Sequence, residues 1–580
     1  MCQITHLGRR TYWNRGDWLP IVSASPVREP AHRGFPKEIE DFDIRRIVAA
    51  YGAEARRCRD GELDGVEIEA YGHLLDSFWS PLTNRRTDEW GGSLDNRMRF
   101  ALAVLAEIRR QVGEDYIVGV RMVVDEDVPG GLGRDEGLEI ARRLVATGRV
   151  DFINVIRGHI ETDEALSHVI PVMGTPAAPH LAFTGEVRAA LEVPVFHAAR
   201  INDVATARHA IAAGLVDMVG MTRAHMADPH IVAKIMRGQE DRIRPCVGAG
   251  YCIDRIYEGG EALCIHNPAT GREITMPHVI APSEGARLKV VVVGAGPAGL
   301  EAARVSAARG HEVVLFEAAN APGGQIALAA RVPRRREIIG IVDWLAAEIA
   351  RLPVDLRFNH LAEKDDVLAE DPDVVIVATG GLPNTAVLEA GQTLVTTTWD
   401  LLGGHVRPAR AVILYDDNGQ HPGPACAEAI AGACESLEYV SPERSFAPDV
   451  GGLNYPAYLE AFYRAGVRIT LNEQLRAVRR DGNRLIGTFF NPYTKTTSER
   501  AADQIVVEHG SLPAAEVYFD LKAGSRNLGE IDYEALVAGG PQAICHNPDG
   551  AYRLFRVGDA VASRNIHAAI YDSLRLCITL

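Results

Sequence analysis

Residues 289–317, KVVVVGAGPAGLEAARVSAARGHEVVLFE, constrain the fold more than any other segment of the chain. Five residues of strand type end at a Gly294-x-Gly296-x-x-Gly299 turn, an alanine-rich helix follows, and a second strand closes on Glu317. The first glycine permits a tight turn, the second lets the backbone approach a pyrophosphate, and the third lets the helix lie close to the sheet. The acid stands near the position that binds a ribose diol. The segment therefore predicts dinucleotide or ADP binding; the alternative is an ordinary βαβ crossover whose glycines serve packing.

Composition narrows the class of protein. A chain of 580 residues is too long for one core, so several domains are expected. The net charge of −16 argues against nucleic acid as a partner. No apolar run approaches the roughly 20 residues that cross a bilayer, and the N-terminus MCQITHLGRR lacks the apolar segment of a signal peptide. Nine cysteines without a regular framework indicate a reducing compartment, so we expect a cytoplasmic protein without a membrane span.

Residues 1–240 alternate short strands with amphipathic helices such as 94–112, 137–147 and 203–213. The candidate strands are Cys2–His6, Gly65–Glu69, Tyr116–Val123, Phe152–Ile156, Val193–Phe196 and Met218–Met221. Repeated strand–helix units predict a parallel barrel, but a closed barrel of this kind has eight units and only six are present. We therefore expect an N-terminally incomplete (β/α)8 TIM barrel that lacks its first two strands. A truncated or wrongly started reading frame would explain this, and an open six-stranded sheet is the alternative.

The remainder of the chain divides into three parts. Residues 241–285 form a cysteine-containing linker segment, and residues 286–384 with 511–580 form an FAD- or ADP-binding domain. Residues 385–510 are an inserted, degenerate NAD-type subdomain, because its first strand runs into Asp416-Asp417-Asn418-Gly419 where a glycine loop is expected. Two carboxylates repel a pyrophosphate, so this turn disfavours NAD(P)H. The predicted fold class is α/β, with the incomplete barrel followed by FAD/NAD(P)-type dinucleotide-binding (Rossmann-like) domains.

Several stretches carry a resemblance to a known family. They are QITHLGR (3–9), SPLTNRRTDEWGGSLDNRMRF (80–100), VGVRM (118–122), HAARIND (197–203), VGMTRAHMADP (219–229), CVGAGYC (246–252) and VGAGPAG (293–299). The chain resembles the old yellow enzyme-type NADH:flavin oxidoreductase family, in its fused branch with 2,4-dienoyl-CoA reductase and trimethylamine dehydrogenase. Within that branch it is most similar to bacterial demethylases of dimethylglycine or N-methylproline. The resemblance implies FMN in the barrel, FAD or ADP in the dinucleotide fold, and an iron–sulfur site in the cysteine segment.

The implied FMN site lies at the carboxyl ends of the barrel strands. The Gln3 amide could bond the flavin pyrimidine edge, and the Arg121 guanidinium would stabilise the anionic reduced flavin near N1 and O2. A salt bridge at the barrel mouth is the other interpretation of Arg121. The last two strand ends fit a phosphate site and carry Ala199, Arg200, Met221 and Arg223. The strand that would hold the flavin N5 is absent from this sequence, which leaves FMN binding open.

The strand DGVEIEAYGH carries the candidate catalytic residues Glu69, Tyr71 and His73 to the barrel mouth. Reductases of the family have a histidine where this chain has Glu69, and a tyrosine near His73. A carboxylate attracts a cationic amine, and either Glu69 or His73 could take its proton, with Tyr71 relaying or orienting. Arg157, which follows the strand FINVI, could clamp a substrate carboxylate. The alternatives are side chains that only bond each other, and an Arg157 that lies on the surface.

Cys246, Cys252 and Cys264 are the candidate iron–sulfur ligands, and Ala249 stands where the family has a fourth cysteine. A four-iron cluster normally takes four thiolates. The options are therefore a three-iron cluster, a substitute ligand such as His266, or no cluster and three reduced thiols. Near the C-terminus, RLFRVGDAVASRN resembles the closing motif of flavoproteins, in which Gly558 ends a strand and Asp559 bonds a ribityl hydroxyl.

These features predict a flavin-dependent oxidative N-demethylase of a methylated amino acid that releases formaldehyde. Its electrons would pass to a partner protein, since NAD(P)H use is disfavoured, and a homo-oligomer is expected. One alternative is an NAD(P)H-dependent enoyl or enone reductase of the 2,4-dienoyl-CoA reductase type. Another is an inactive nucleotide-binding subunit.

Overall fold

The computed structural model describes residues 1–14 and 16–580. The chain folds as two units, residues 1–222 and residues 223–580. Within the described ranges, none of the helices has both the length and the apolar character needed to cross a membrane.

The first unit is built on a parallel sheet of six strands, in the order β1-β4-β5-β6-β7-β8. Its strands, together with the short pair β2–β3, are β1 Cys2–Ile4, β2 Val22–Ser23, β3 Lys37–Glu38, β4 Gly65–Ala70, β5 Ile117–Asp125, β6 Phe152–Arg157, β7 Val195–His197 and β8 Met218–Val219. The six sheet strands lie where six strands were predicted, but some bounds differ. The structure ends β1 at residue 4 rather than 6, places β7 at 195–197 rather than 193–196, and ends β8 at residue 219 rather than 221. No pairing between β1 and β8 occurs among the described residues.

Helices connect these strands and cover the sheet. They are α1 Asp41–Asp60, α2 Leu74–Trp79, α3 Leu94–Val112, α4 Arg134–Ala146, α5 Asp163–Val169, α6 Leu181–Ala189, α7 Val204–Ala212 and, across the unit boundary, α8 Thr222–Ala227. The predicted helix 94–112 is confirmed to the residue. It begins where the Ser93 side chain accepts the Asn96 N–H, and it ends at Gly113, which has a φ of 75°. Because every strand runs the same way, all their carboxyl ends lie at one edge.

The second unit contains a five-stranded parallel sheet in the order β11-β10-β9-β12-β23. Its strands are β9 Lys289–Val293, β10 Glu312–Phe316, β11 Val354–Arg357, β12 Val374–Val377 and β23 Arg553–Arg556. Numbered along the chain this is 3-2-1-4-5, the order of a Rossmann sheet, in which ligands bind where the order reverses beside the first strand. The continuous valine run of β9 is buried on both faces, as expected for a central parallel strand.

Residues between β12 and β23 form a second five-stranded parallel sheet, β14-β21-β15-β16-β17, with an antiparallel sheet β18-β19-β20 beside it and a small pair β13–β22. The strands are β13 Gly381–Pro383, β14 Thr396–Thr397, β15 Ala411–Asp416, β16 Ser436–Val440, β17 Arg468–Thr470, β18 Gln474–Asp481, β19 Arg484–Asn491, β20 Thr496–Ala502, β21 Gln504–Glu508 and β22 Ser511–Pro513. This sheet repeats the dinucleotide-fold pattern, with β15 at its centre.

The helices of the second unit fall into short connectors and longer sheet-packing helices. They are α9 Ile231–Met236, α10 Tyr251–Tyr257, α11 Pro297–Ala308, α12 Gln325–Ala329, α13 Gly340–Ile349, α14 Lys364–Ala369, α15 Thr398–Leu402, α16 Pro422–Ala431, α17 Tyr455–Ala465, α18 Glu516–Lys522, α19 Tyr533–Ala538 and α20 Ile566–Cys577. The two that matter most are α11 and α16, which each follow the first strand of a nucleotide-type sheet.

Candidate functional site

Strand register gathers polar side chains at the carboxyl edge of the first sheet. Gln3 lies opposite Glu67, Glu69 lies opposite Arg121, and Arg121 lies opposite Asn154. The Gln3 amide donates to one Glu67 oxygen at 2.6 Å, and the Asn154 amide donates to the other at 2.8 Å. Glu67 and Asn154 were missed from the sequence. The sequence did contain a signal for Glu67. Side chains along a strand alternate between the two faces of a sheet, so Glu67, two residues before Glu69, shares its face.

Glu69 is a buried carboxylate, with 8% of its surface exposed. Burial raises the pKa of Glu69, while a hydrogen bond from Thr5 and the positive charge of Arg121 oppose that rise. The Arg121 guanidinium also lies over the Tyr71 ring, 5.5 Å from its centroid. The structure therefore brings Glu69, Tyr71 and Arg121 together. Arg121 interacts with a ring and a nearby carboxylate rather than in a close salt bridge.

His73 completes this group. Its Nδ1 lies 3.4 Å from a Glu69 carboxylate oxygen, but the contact lacks hydrogen-bond geometry. Burial, followed by the positive charges of Arg10 and His6, lowers the pKa of His73 to about 4. His73 is therefore neutral at pH 7.

The loop that carries Tyr71 and His73 is fixed by a buried acid that sequence reasoning missed. The Asp76 carboxylate accepts the backbone N–H of His73 at 2.9 Å and that of Gly72, and it thereby caps α2. Burial raises the pKa of Asp76 to about 7, and the charge of Glu126 adds to the rise. A small cavity lined by Arg9, His73, Asp76, Glu126, His159 and Glu161 lies beside this loop. Asp76 could have been recognised as the third residue of a short capped helix.

Arg157 lies at the end of β6 among acids. Its guanidinium is 3.5 Å from Asp125 and 3.3 Å from Asp127, and it stacks 5.3 Å from the Phe183 ring. Its side chain is 34% exposed. A substrate carboxylate would therefore have to exchange with the exposed Asp127, so the predicted clamp stays a prediction.

The ends of β7 and β8 have the geometry of a backbone cradle. A Cβ on Gly220 would meet the Ala198 Cβ at 2.5 Å, so the two strand ends approach through their backbones. Arg200 adopts a φ of 50°, which is strained for a non-glycine residue, and its side chain is buried. Ala199 and Met221 lie in the same two loops. Arg223 belongs to α8 in the second unit.

His197, a further residue missed from the sequence, supports a ligand at this edge. Its Nδ1 lies 2.9 Å from the Val155 carbonyl oxygen, while its buried Nε2 has no hydrogen-bond partner in the part of the chain that the structure describes. Donation from Nδ1 leaves Nε2 as an acceptor. The unsatisfied Nε2 acceptor fits a ribityl hydroxyl of FMN, and the neighbouring backbone cradle fits its phosphate. The residues present at this edge therefore suit FMN.

The glycine loop of the second unit has the predicted geometry. Gly294 has a φ of 103°, and a Cβ on Gly299 would meet the Gly294 carbonyl oxygen at 1.7 Å. Gly296 faces open space, because no atom lies within 4 Å of the position that a Cβ would occupy there. The first and third glycines therefore serve the turn and the helix packing, and the second leaves room for a phosphate at the N-terminus of α11.

Two acids flank this loop. Glu317 accepts the N–H groups of Ala295 at 2.7 Å and Ala319 at 2.8 Å, which ties the end of β10 to the glycine loop. Asp559 accepts from the Gln325 amide at 3.0 Å, and burial raises the pKa of Asp559. Gly558 has a φ of 64° and packs on Ala298 in α11. Gly294, Gly296 and the two acids line one cleft of about 1390 Å³, larger than the roughly 300–1,000 Å³ of an ordinary small-molecule pocket.

The corresponding turn of the inserted sheet is closed by its own carboxylate. The buried Asp416 side chain accepts the N–H groups of Asn418 at 3.0 Å and Gly419 at 3.2 Å, together with the Tyr439 hydroxyl. A Cβ on Gly423, in the first turn of α16, would lie 2.3 Å from this carboxylate. Burial raises the pKa of Asp416 to about 7. The carboxylate thus lies against the start of the helix, where a pyrophosphate would bind in a dinucleotide fold.

The cysteine segment holds three neighbouring thiols. Burial raises the pKa of Cys252 and of Cys264 to about 11, and Cys246 is close enough to both to add to the rise. Ala249, which stands between Cys246 and Cys252 in the sequence, is buried in the structure. Its carbonyl oxygen accepts a hydrogen bond from the Asn454 amide at 3.0 Å. Within the described ranges, no set of three or more His, Cys, Asp or Glu side chains is arranged to hold a metal ion. The iron–sulfur ligands stay a prediction.

The fold and these sites define a flavin-dependent oxidoreductase, a TIM-barrel-type flavin domain joined in sequence to a pyridine nucleotide oxidoreductase domain. Residues 1–242 match the NADH:flavin oxidoreductase / NADH oxidase family, and residues 288–401 match the pyridine nucleotide-disulphide oxidoreductase family. The chain belongs to the NADH:flavin oxidoreductase / NADH oxidase family, as its resemblance predicted, and is an FMN-dependent enzyme.

Three similar proteins span nearly the whole chain. A "Probable N-methylproline demethylase" of Rhizobium meliloti is 55% identical over 99% of this chain and 85% of its own length. An "N,N-dimethylglycine/sarcosine dehydrogenase" of Chromohalobacter salexigens is 46% identical over 100% of this chain and 85% of its own length. The structure of histamine dehydrogenase from Rhizobium sp. 4-9 matches with a TM-score of 0.86 and 23% identity over 99% of this chain and 82% of that one, a likeness of fold.

Two substitutions in the glycine loop separate folding from ligand binding. Gly299→Ala should lower the melting temperature of the protein without nucleotide, because its Cβ would overlap the Gly294 carbonyl oxygen. Gly296→Ala should leave that temperature unchanged but weaken binding of FAD or ADP, because its Cβ enters the open space above α11. Thermal melts and calorimetric titration check both. Equal effects of the two variants on the unliganded protein would contradict the assignment.

Asp416→Asn tests the buried carboxylate. The folded-state pKa of Asp416 is about 7, above its ordinary value, so its contribution to stability is present below about pH 4 and is lost as the pH rises to about 7. Asparagine mimics the neutral acid. The variant should therefore gain melting temperature relative to the wild type on going from pH 5 to pH 8, by about 2 °C or more. The exposed Asp481→Asn should show no such trend, and a difference independent of pH would argue against a buried ionisable group.

Ala249→Cys tests the cysteine segment. If the three thiols lie around a vacant ligand position, anaerobic reconstitution of this variant should yield a four-iron cluster with bound iron and acid-labile sulfide. The wild type under the same treatment should bind less of both. Unchanged iron and sulfide contents in the variant would reject this position of the fourth ligand.

Proposed function

We propose that this enzyme oxidatively demethylates an N-methylated amino acid of the dimethylglycine or N-methylproline type. The observation that carries the proposal is the buried Glu69 carboxylate at the end of β4, beside Arg121 and the Tyr71 ring. A cationic amine is the ligand that a buried carboxylate and an adjacent aromatic ring attract. The names of the two similar relatives support the same reaction class.

The reaction first requires removal of the ammonium proton, because a free lone pair on nitrogen assists departure of hydride from the methyl carbon. In the proposal, Glu69 takes this proton, since burial raises its pKa and makes it a stronger base than an ordinary carboxylate. Neutral His73 packs 3.4 Å from Glu69, and Tyr71 forms an aromatic wall. FMN, bound at the strand ends, supplies the two-electron acceptor for the hydride.

The products follow from the balance of atoms. Loss of hydride leaves an iminium, and addition of water gives a carbinolamine that breaks its C–N bond. The demethylated amine and formaldehyde are released, and two electrons remain on the protein. Arg121 provides positive charge at the edge where negative charge develops. Arg157 is the candidate for holding the substrate carboxylate, after exchange with Asp127.

We infer that the electrons leave towards a partner protein. The Asp416 carboxyl group lies against the start of α16, so in the inserted sheet a side chain occupies the place where NAD(P)H would need a phosphate cradle. The competing function, an NAD(P)H-dependent enone or enoyl reductase, needs that cradle. Another alternative, an inactive nucleotide-binding subunit, does not account for the burial of Glu69 beside Arg121.

The direct experiment supplies candidate substrates to the purified holoenzyme with an artificial electron acceptor. N-methylproline, dimethylglycine and sarcosine are compared for formaldehyde release, and NADH or NADPH is tested for reduction of the flavin. Stoichiometric formaldehyde from at least one of the amines is expected, with little flavin reduction by either nicotinamide cofactor. Rapid reduction by NAD(P)H together with turnover of an enone, and no formaldehyde from any amine, would favour the reductase.

Glu69→Gln tests the base. The change removes the charge at constant shape, so kcat/KM for the methylated amine should fall by roughly 10²–10⁴-fold while bound FMN per protein stays constant. In the wild type, kcat/KM should rise with pH through the raised pKa of Glu69, and this limb should vanish in the variant. The exposed Glu54→Gln in α1 is the matched control. A variant that keeps both its activity and its pH profile would remove Glu69 from the mechanism.

A further inference from the structure

Arg335 is a buried cation with no acidic partner among the described residues. Only 5% of its surface is exposed, and its Nε has no hydrogen-bond partner within the described ranges. No ion pair joins it to an acid in the described part of the chain, whereas neighbouring Arg334 pairs with Glu428 at 2.7 Å. A buried charge without compensation is costly. Arg335 therefore has a charge that a ligand could neutralise.

The polar contacts of Arg335 are with neutral groups. Its Nη1 donates to the Nδ1 of His421 at 2.9 Å, and the Tyr458 hydroxyl, which also bonds Arg335, lies 3.2 Å from that Nδ1. Burial and the adjacent guanidinium hold the pKa of His421 well below its usual range. With Nδ1 accepting, the proton of His421 resides on Nε2. The pair thus presents donors and a positive charge without any negative charge of its own to balance them.

Arg335 and His421 line the same cleft as the dinucleotide loop. The loop at 323–324 packs on the dinucleotide loop, because the Gly323 N–H donates to the Ala295 carbonyl at 2.9 Å. Gln325, which follows this loop, donates a hydrogen bond to Asp559. From there α12 and the short 3-10 turn Pro333–Ile339 lead to Arg335. A nucleotide with its ribose at Glu317 and its pyrophosphate at Gly296 would leave Asp559 and Arg335, which line the same cleft, for the part of the molecule beyond the pyrophosphate.

A second nucleotide is a poor candidate for the anion at Arg335. The first turn of α16 contains Pro422 and Pro424, which have no N–H, so the helix offers few amide donors. The Asp416 carboxylate already lies against Gly423 in the same turn. ADP alone would end at the pyrophosphate and leave Arg335 without a counter-charge.

We propose that Arg335, held by His421, recognises the pyrimidine edge of an isoalloxazine, so that this cleft selects a complete FAD over ADP. The N1–C2=O edge accepts hydrogen bonds and gains negative charge on reduction, which matches a buried guanidinium. Arg335 is then a binding residue of a second flavin, and its charge favours the reduced form. This assignment does not depend on which amine the barrel oxidises.

The test compares FAD with ADP on the full chain after flavin removal and restoration of FMN. Calorimetric titration of the wild type should give a Kd for FAD at least about tenfold below that for ADP, the size of one charge-assisted hydrogen bond. Arg335→Met should remove this preference by weakening FAD alone. It should also lower the reduction potential of bound FAD. Glu317→Ala should weaken FAD and ADP equally, because both carry the adenosine ribose.

Arg336→Met, at the exposed next position, is the matched control and should keep the preference for FAD. Arg335→Lys covers the case in which methionine prevents folding; it keeps the charge and should show an intermediate preference. The proposal is overturned if the wild type binds ADP as tightly as FAD, or if Arg335→Lys and Arg335→Met change both affinities alike. These outcomes are independent of formaldehyde release, so the demethylase proposal can fail while this one stands.

Discussion

Parallel strand pairing in one register is the constraint on which the chemistry of the first unit depends. It sets Glu69 beside Arg121 and Arg121 beside Asn154, although the three residues are far apart in the chain. A carboxylate buried without a partner would become protonated or would destabilise the fold around it. Next to Arg121 the carboxylate can remain a base, because the guanidinium charge limits the rise in its pKa. The ladder therefore provides the electrostatic environment as well as the geometry.

The two nucleotide-type sheets of the second unit are both parallel and five-stranded, with β9 and β15 at their centres, and they differ in the turn after the central strand. After β9 the chain uses Gly294 and Gly299 for tight geometry and leaves Gly296 facing empty space. After β15 it fills the equivalent space with the Asp416 carboxylate, which receives N–H groups that a phosphate would otherwise attract. One fold thus supports a nucleotide cradle and its internally closed counterpart, and the difference lies in a few side chains.

Local patterns in the sequence were sufficient for the strands, for α3 and for the Gly294 loop, because their determinants lie within one turn or one strand. They also indicated that carboxylates at 416–417 are unsuited to a phosphate. Contacts between distant segments were not predictable. Tyr439, which bonds Asp416, comes from the next strand, and the Glu67 contacts with Gln3 and Asn154 cross 64 and 87 residues. In the sequence, Arg335 is the middle one of three consecutive arginines, which suggests a surface position for all three. Only the structure shows that Arg335 is buried.

Charge balance links proton and electron movement in the proposed reaction. In the resting site the Arg121 charge acts on Glu69 and opposes the rise of its pKa. When Glu69 takes the substrate proton it becomes neutral, and that attraction is lost. The positive charge of Arg121 is then no longer engaged by Glu69 at the moment when an electron pair arrives at the same sheet edge. Because the attraction between unit charges at short range is strong in a buried site, proton uptake by Glu69 should favour electron acceptance, and a neutral residue at position 69 would uncouple the two.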